Sequence, residues 1–174
     1  MIYEPFAFSW NPYLPYESLQ EAAKVCYADA SVAFLADETF PRLLLFFHES
    51  DGLIAQDNVP REVPDKQLVT QVRNAIREYD VYGIIQVAEA SAYLSKARND
   101  HTIVQLVHNE MQVSDLHDED KRKYLICKVQ CVNGDGFVFL KEIVRFGVFV
   151  SLGDLILIDL KNDLTQDRFF GSRP

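Results

Sequence analysis

The fold is decided by residues 124–146, whose sequence is YLICKVQCVNGDGFVFLKEIVRF. Two runs rich in β-branched and aromatic residues flank Asn133-Gly134-Asp135-Gly136, and these four residues tolerate the positive φ angles of a tight turn. The pattern predicts strands over 124–132 and 137–146 that pair as an antiparallel hairpin. Alternation along the second strand places Phe137, Phe139, Lys141, Ile143 and Arg145 on one face, and Val138, Leu140, Glu142, Val144 and Phe146 on the other.

The sequence on either side of this hairpin predicts further strands and two helices. LILIDL, residues 155–160, predicts a last strand that continues the meander. Upstream, apolar residues recur at helical spacing over 18–36 and 65–79, which indicates two helices with one buried face each. Apolar runs at 42–49 and 82–90 predict buried strands before and after the second helix. This strand–helix–strand order predicts a right-handed crossover between parallel strands.

Residues 91–120 carry the weakest structural pattern. The apolar residues at 92–94 and 103–107 are compatible with helical turns, while the polar stretch SDLHDEDKRK at 114–123 predicts an exposed connection. A connection of this length usually indicates a functional or mobile loop.

The whole chain of 174 residues fits one domain of ordinary size. With a short strand at 53–56 that folds back on its predecessor, the predicted strands number five or six. We therefore predict an α/β or α+β fold: a single domain with a mixed five- to six-stranded sheet, two main helices and a C-terminal antiparallel meander. The expected limits are an aromatic arm at 1–17, the domain at 18–160 and a polar tail at 161–174.

The composition is acidic, with a formal net charge of −9 and a pI of 4.8. Such a charge argues against nucleic acid and anionic membrane surfaces as partners. No apolar run approaches the roughly 18 residues that span a bilayer, and no secretory signal pattern is visible. Cys127 and Cys131 would stand about 13 Å apart on a strand, beyond disulfide reach. We therefore expect buried, reduced thiols, including Cys26, and a cytoplasmic location.

Two strand ends suggest acid–base chemistry. His48 and Glu49 end the first predicted core strand, and Glu89 lies near the end of the next. If these strands are parallel neighbours, the three side chains meet at the carboxyl edge of the sheet, where open α/β folds bind ligands. Two carboxylates and an imidazole could then act as general acid and base. The alternative is that these charged residues only end strands where the chain meets water.

Metal and cofactor chemistry has weaker support. His101, His108 and His117 lie among carboxylates and are the candidate metal ligands, but their spacing matches no compact metal motif. A solvated acidic loop is the alternative, and we expect neither a metal nor a cofactor. The sequence also lacks a G-x-S-x-G nucleophile elbow and both common glycine-rich phosphate-binding motifs.

The first sixteen residues, MIYEPFAFSWNPYLPY, hold six aromatic residues and three prolines. Phe6, Phe8 and Trp10 recur at every second position, which places them on one side of an extended segment. Because a free arm with that much apolar surface would associate nonspecifically, we expect it to dock. These three residues are the candidate partner-binding residues, and the surface they cover belongs either to the same domain or to a second subunit.

Three stretches together resemble a loose group of small bacterial and phage-associated α/β proteins: LLLFFHESDGL at 43–53, YGIIQVAEASAYL at 82–94 and SDLHDEDKRKYLICKVQCVNGDGF at 114–137. In that group an apolar strand ends in a V-S-E-A-W-like sequence, matched here by residues 87–91 with serine in the aromatic position. A following P-S-x-H-P-D-R-x-E-like stretch is matched at Ser114, His117 and Asp120. The resemblance covers about residues 42–146. It implies the same α/β fold, adds weight to Glu89, and implies no reaction.

These observations favour a cytoplasmic, non-enzymatic protein that acts through self-association, as a homodimer, or through a protein partner. One alternative is a small hydrolase or metal-assisted enzyme that uses the strand-end carboxylates and histidine. Another is an acidic inhibitor that mimics nucleic acid.

Overall fold

The computed structural model describes residues 19–48, 52–60, 62–97, 100–107, 122–132 and 136–159. Helices α1 (Leu19–Asp37) and α2 (Asp65–Tyr79) lie within these ranges, close to the predicted limits. The same ranges contain eight strands: β1 (Arg42–His48), β2 (Gly52–Val59), β3 (Val81–Ala97), β4 (Asp100–Val107), β5 (Arg122–Cys131), β6 (Gly136–Phe146), β7 (Phe149–Leu152) and β8 (Ile156–Asp159). This is more than the predicted five or six because β4 and β7 were not anticipated.

The strands form one sheet with the order β2-β1-β3-β5-β6-β7, in which β4 pairs with β3 and β8 pairs with β6. All these pairings are antiparallel. The predicted mixed sheet and the predicted parallel crossover between β1 and β3 are therefore wrong. The reason is that β2, the strand predicted to fold back on β1, has already reversed the chain before α2 begins. The crossover through α2 starts from β2 and passes over β1, so β2 and β3 run in the same direction without being neighbours.

The middle of the chain is extended where helical turns were expected. β3 continues to Ala97, and its residues 91–97 pair with β4. The β4 segment DHTIVQLV is rich in β-branched residues, which fit a pleated strand better than a helix. β4 comes close to β8, so this end of the sheet curls toward its other edge.

The predicted C-terminal antiparallel meander is present as β5, β6 and β8, and the additional strand β7 also pairs with β6. A two-residue turn, Gly147-Val148, joins β6 to β7, and Gly147 has a φ of 60° that suits glycine at the first turn position. β7 and β8 follow each other along the same edge of β6, with the register displaced by one residue between them. This displacement is a β-bulge at residues 153–155, and it separates the two strands.

Each face of the sheet has its own core. α1 covers a face that includes Leu43, Leu45, Leu125, Cys127, Val129, Phe139 and Ile143, which we call the α1 face. α2 packs on the opposite face, the α2 face, against residues that include Leu44, Phe46 and Ile84. A second cluster on the α2 face is formed farther along the sheet by residues that include Tyr124, Ile126, Val138, Leu140 and Ile158. The alternation predicted for β6 therefore matches the observed faces.

Candidate protein-interaction surface

The structure separates His48 from Glu89, the two predicted catalytic residues that it describes. His48 pairs with Val81 at the start of β3, whereas Glu89 lies eight residues farther along the same strand, opposite Leu125. At about 3.3 Å per residue, the two backbone positions are about 26 Å apart. The premise of a shared sheet edge is thus wrong, because β1 and β3 are antiparallel. Glu49 lies outside the described residues.

The predicted metal ligands are also not assembled into a described site. His101 lies in β4, and His108 and His117 lie outside the described residues. Within the described ranges, no group of three or more histidine, cysteine, aspartate or glutamate side chains is arranged to hold a metal ion. His48 Nε2 lies 3.9 Å from Asp80 Oδ2, and Asp80 is almost fully exposed.

The three cysteines are buried, and no disulfide joins them. Burial raises the pKa of the Cys26 thiol to about 12, with the Asp29 carboxylate adding to the effect. Burial also raises the pKa of Cys127 well above its ordinary value, with a further contribution from Cys26. Since the thiolate is the nucleophilic form, these two protonated thiols act as small core side chains and not as reactive groups.

The most exposed apolar residues of the described chain lie together at the β6–β7 turn. Phe146 and Phe149 are cross-strand partners that are 82% and 73% exposed, and Val148 in the turn is 85% exposed. Val144, two positions before Phe146 and on the same face of β6, is 41% exposed. We call Val144, Phe146, Val148 and Phe149 the hairpin patch. It continues the α2 face of the sheet to the tip of the hairpin.

The opposite face of the same hairpin is anchored to α1. Ile143 is buried in the α1-face core, and Val150 and Leu152 pack against that core. Arg145 Nη2 donates a hydrogen bond of 3.3 Å to the carbonyl oxygen of Glu38, just after the end of α1. The hairpin is thus held on one side by helix contacts, which fixes the orientation of the exposed side.

The hairpin patch has an apolar centre and a polar border. Arg122 and Glu142 form an ion pair with 2.9 Å between Nη1 and Oε1, and Glu142 precedes Val144 on the same face of β6. β7 itself, Phe149–Leu152, carries no charged residue and no proline. Among the described residues, β7 pairs with β6 alone, so no other described strand lies along its outer edge. An apolar centre with a charged rim is the usual anatomy of a protein interface.

The sequence-based interpretation missed this surface although a signal for it was present. The apolar alternation of the β6 sequence placed Val144 and Phe146 on one face of the strand, but alternation alone does not distinguish a buried face from an exposed one. The sequence FGVF at 146–149 places apolar side chains on both sides of a glycine turn, where polar residues are usual. The predicted partner-binding residues Phe6, Phe8 and Trp10 lie outside the described residues.

Comparison of the chain with protein-family models, with curated proteins and with solved structures finds no match in any of the three. The resemblance to bacterial and phage-associated proteins therefore stays a prediction. In the described part of the chain, neither helix combines the length and the apolar character that crossing a membrane would require.

Proposed function

We propose that this protein is a non-enzymatic protein that acts by binding another protein chain through the hairpin patch. The observation that carries the proposal is the cross-strand pair of Phe146 and Phe149, whose rings are mostly exposed on a hairpin that α1 holds in place. Large aromatic side chains are frequent at the energetic centres of protein interfaces. Leaving them in water forgoes a favourable burial of about 2 kcal/mol for each side chain.

The area of the hairpin patch suits such a contact. With about 200 Å² for a whole phenylalanine side chain, the exposed fractions of Phe146 and Phe149 correspond to about 300 Å². Val144 and Val148 extend this area around the rings. Contiguous apolar patches of a few hundred Å² on a single chain commonly mark interaction sites.

The enzymatic alternative has no comparable support. It needed His48 and Glu89 at one edge of the sheet, and their strand positions are about 26 Å apart. The cytoplasmic location remains a prediction from the sequence and forms part of the proposal.

The test compares the full-length protein with the double variant Phe146→Ser/Phe149→Ser. Sedimentation velocity over a wide concentration range measures self-association, and affinity purification from the source cells, with quantitative mass spectrometry, measures binding to other proteins. We expect the wild type either to self-associate or to bind another protein, and we expect the double variant to lose that association. The matched control is Leu157→Ser, which removes another half-exposed apolar side chain from β8. The proposal fails if every association seen with the wild type survives in the double variant, or if none is seen at all.

A further inference from the structure

We infer that the occupant of the hairpin patch is a second copy of this chain, whose β7 pairs with β7 of the first copy in an antiparallel arrangement. The inference rests on the proposed function and goes further, because it names the partner and the backbone pairing. The two sheets would join at their β7 edges into one continuous sheet related by a two-fold axis.

The first support is the lack of protection at the β7 edge. Natural proteins usually guard edge strands with charges, prolines or a covering element. β2, at the other end of the strand order, carries the exposed Asp57, and β8 is approached by β4. β7 has neither a charge nor a proline, and its pairing partner within the described residues is β6 alone. β7 is therefore the edge best suited to accept another strand.

The second support is charge. Two copies that each carry a net charge of −9 repel one another over most of their surface. Residues 143–153 contain one charged side chain, Arg145, and it lies on the α1 face with its bond to Glu38. A contact centred on β7 brings no like charges directly opposite one another. A partner with a strong charge of either sign would find nothing complementary on the hairpin patch.

The third support is the self-complementarity of the strand. Antiparallel pairing of two identical strands generates two-fold symmetry, the commonest symmetry of soluble oligomers. A register centred on Val150 places Phe149 of one copy opposite Ser151 of the other, a large side chain beside a small one on the same sheet face. This register also ends before the bulge at residues 153–155, so residues 149–151 of each copy pair without distortion.

The buried area sets the expected strength. Phe149 of each copy lies beside the two-fold axis, whereas Phe146 lies one strand farther back on β6. The two Phe149 rings therefore contribute at most about 300 Å², and with the paired strands the contact stays below the roughly 1,000 Å² expected of a specific interface. The dimer should therefore be of modest affinity and should dissociate on dilution. Association that depends on concentration is part of the inference.

The experiment uses cysteine cross-linking in the full-length chain. Phe149→Cys and Ser151→Cys proteins, distinguished by mass, are mixed at high concentration and oxidised. In the proposed register these positions face each other across the two-fold axis at a Cβ separation near 5 Å, close to that of a disulfide. The native thiols of Cys26, Cys127 and Cys131 are buried and give little background. The control mixture pairs Ser151→Cys with Val32→Cys, a mostly exposed position on α1.

We expect an interchain disulfide in the first mixture and none in the control. Sedimentation velocity should show a dimer that Ser151→Lys weakens by roughly tenfold or more, because it places charges beside the paired edges. Far-UV circular dichroism should show that this variant is folded. A mixture of Phe149→Cys and Ser151→Cys proteins that dimerises by sedimentation velocity without forming the cross-link overturns the inference, and so does a wild-type dimer unaffected by Ser151→Lys. Loss of the dimer in Phe6→Ser/Phe8→Ser/Trp10→Ser also overturns it, since the arm would then be the occupant.

The inference and the proposed function fail in different ways. If the wild type is monomeric but captures another protein through Phe146 and Phe149, the proposed function stands and the inference is wrong. If neither self-association nor capture depends on these residues, both are wrong.

Discussion

Replacement of Tyr27 by phenylalanine tests how α1 docks on the sheet. The Tyr27 hydroxyl donates a hydrogen bond of 2.5 Å to the backbone carbonyl of Leu125 in β5, and this bond is buried. The Tyr27 ring stacks on Phe139, with 6.4 Å between centroids and 24° between planes. Lys141 Nζ lies 5.4 Å from the centroid of the same ring. One side chain therefore connects α1 to both β5 and β6.

The expected loss of stability in Tyr27→Phe is about 1–2 kcal/mol. Phenylalanine keeps the ring and its packing, so the change is confined to the hydroxyl and its hydrogen bonds. A typical buried hydrogen bond contributes about 1 kcal/mol net, and leaving a carbonyl without its partner adds to the loss. For a chain of this size, each 1 kcal/mol lowers the Tm by about 2–4 °C.

The assay is urea unfolding followed by far-UV circular dichroism, with all proteins at one concentration. Tyr79→Phe is the matched control, because it removes the same hydroxyl from an exposed tyrosine at the end of α2, and no resolvable change is expected there. Equal stability of Tyr27→Phe and the wild type would refute the placement of the hydroxyl against Leu125. A loss above about 4 kcal/mol would show instead that the packing of α1 has collapsed.

Further predictions concern the turn, the core face of β6 and alkaline pH. Gly147→Ala should lower the free energy of unfolding by about 1 kcal/mol because φ is 60° there, whereas Gly153→Ala, whose added Cβ would come no closer than 3.5 Å to another atom, should be nearly neutral in urea titrations. Phe139 is 1% exposed, so Phe139→Ala should lower the free energy of unfolding by about 3–5 kcal/mol. Its cross-strand partner Leu157 is 52% exposed, so Leu157→Ala should lower it by under about 1 kcal/mol. Similar losses for the two variants in urea unfolding would contradict the assignment of Phe139 to the core. Burial raises the pKa of Cys26 in the folded protein to about 12 from an ordinary value of 9.0. Above pH 9 the thiol therefore ionises in the unfolded chain but stays protonated in the folded one, and the free energy of unfolding falls by about 1.4 kcal/mol per pH unit. The wild type should therefore lose stability between pH 9 and 10.5 more steeply than Cys26→Ala, and parallel pH profiles from urea unfolding would count against a buried thiol.

Local patterns predicted most of the regular elements. The helices were placed within one residue of their observed limits, because an apolar stripe at helical spacing specifies both the element and its buried side. The strands on either side of residues 133–136 were placed for a similar reason, since turn-forming residues fix where a hairpin reverses. The alternation of β6 also assigned Phe139 and Val138 to opposite faces, as observed.

Pairing direction was the main failure, and it removed the predicted catalytic site. The strand predicted at 53–56 already returns the chain before α2, and the structure extends it to eight residues, so the parallel crossover predicted from β1 was incompatible with it. With that reversal, β3 runs antiparallel to β1, and His48 and Glu89 lie far apart. The expectations for Phe6, Phe8 and Trp10 as partner-binding residues, and for the domain limits, stay predictions.

By itself, the sequence determined the local periodicities of this protein: two helices, the strands on either side of the turns, the side chains that share a face, and an acidic surface. These properties depend on neighbours within a few residues of each other. The tertiary structure alone decided the strand order, the direction of β3 and the exposure of the β6–β7 hairpin. Phe139 and Phe146 are both phenylalanines in the apolar pattern of β6, yet Phe139 is buried beneath α1. Phe146 lies on the α2 face, where no described element covers it, and is 82% exposed. Burial is a property of what other elements cover, and that depends on contacts between residues distant in the chain.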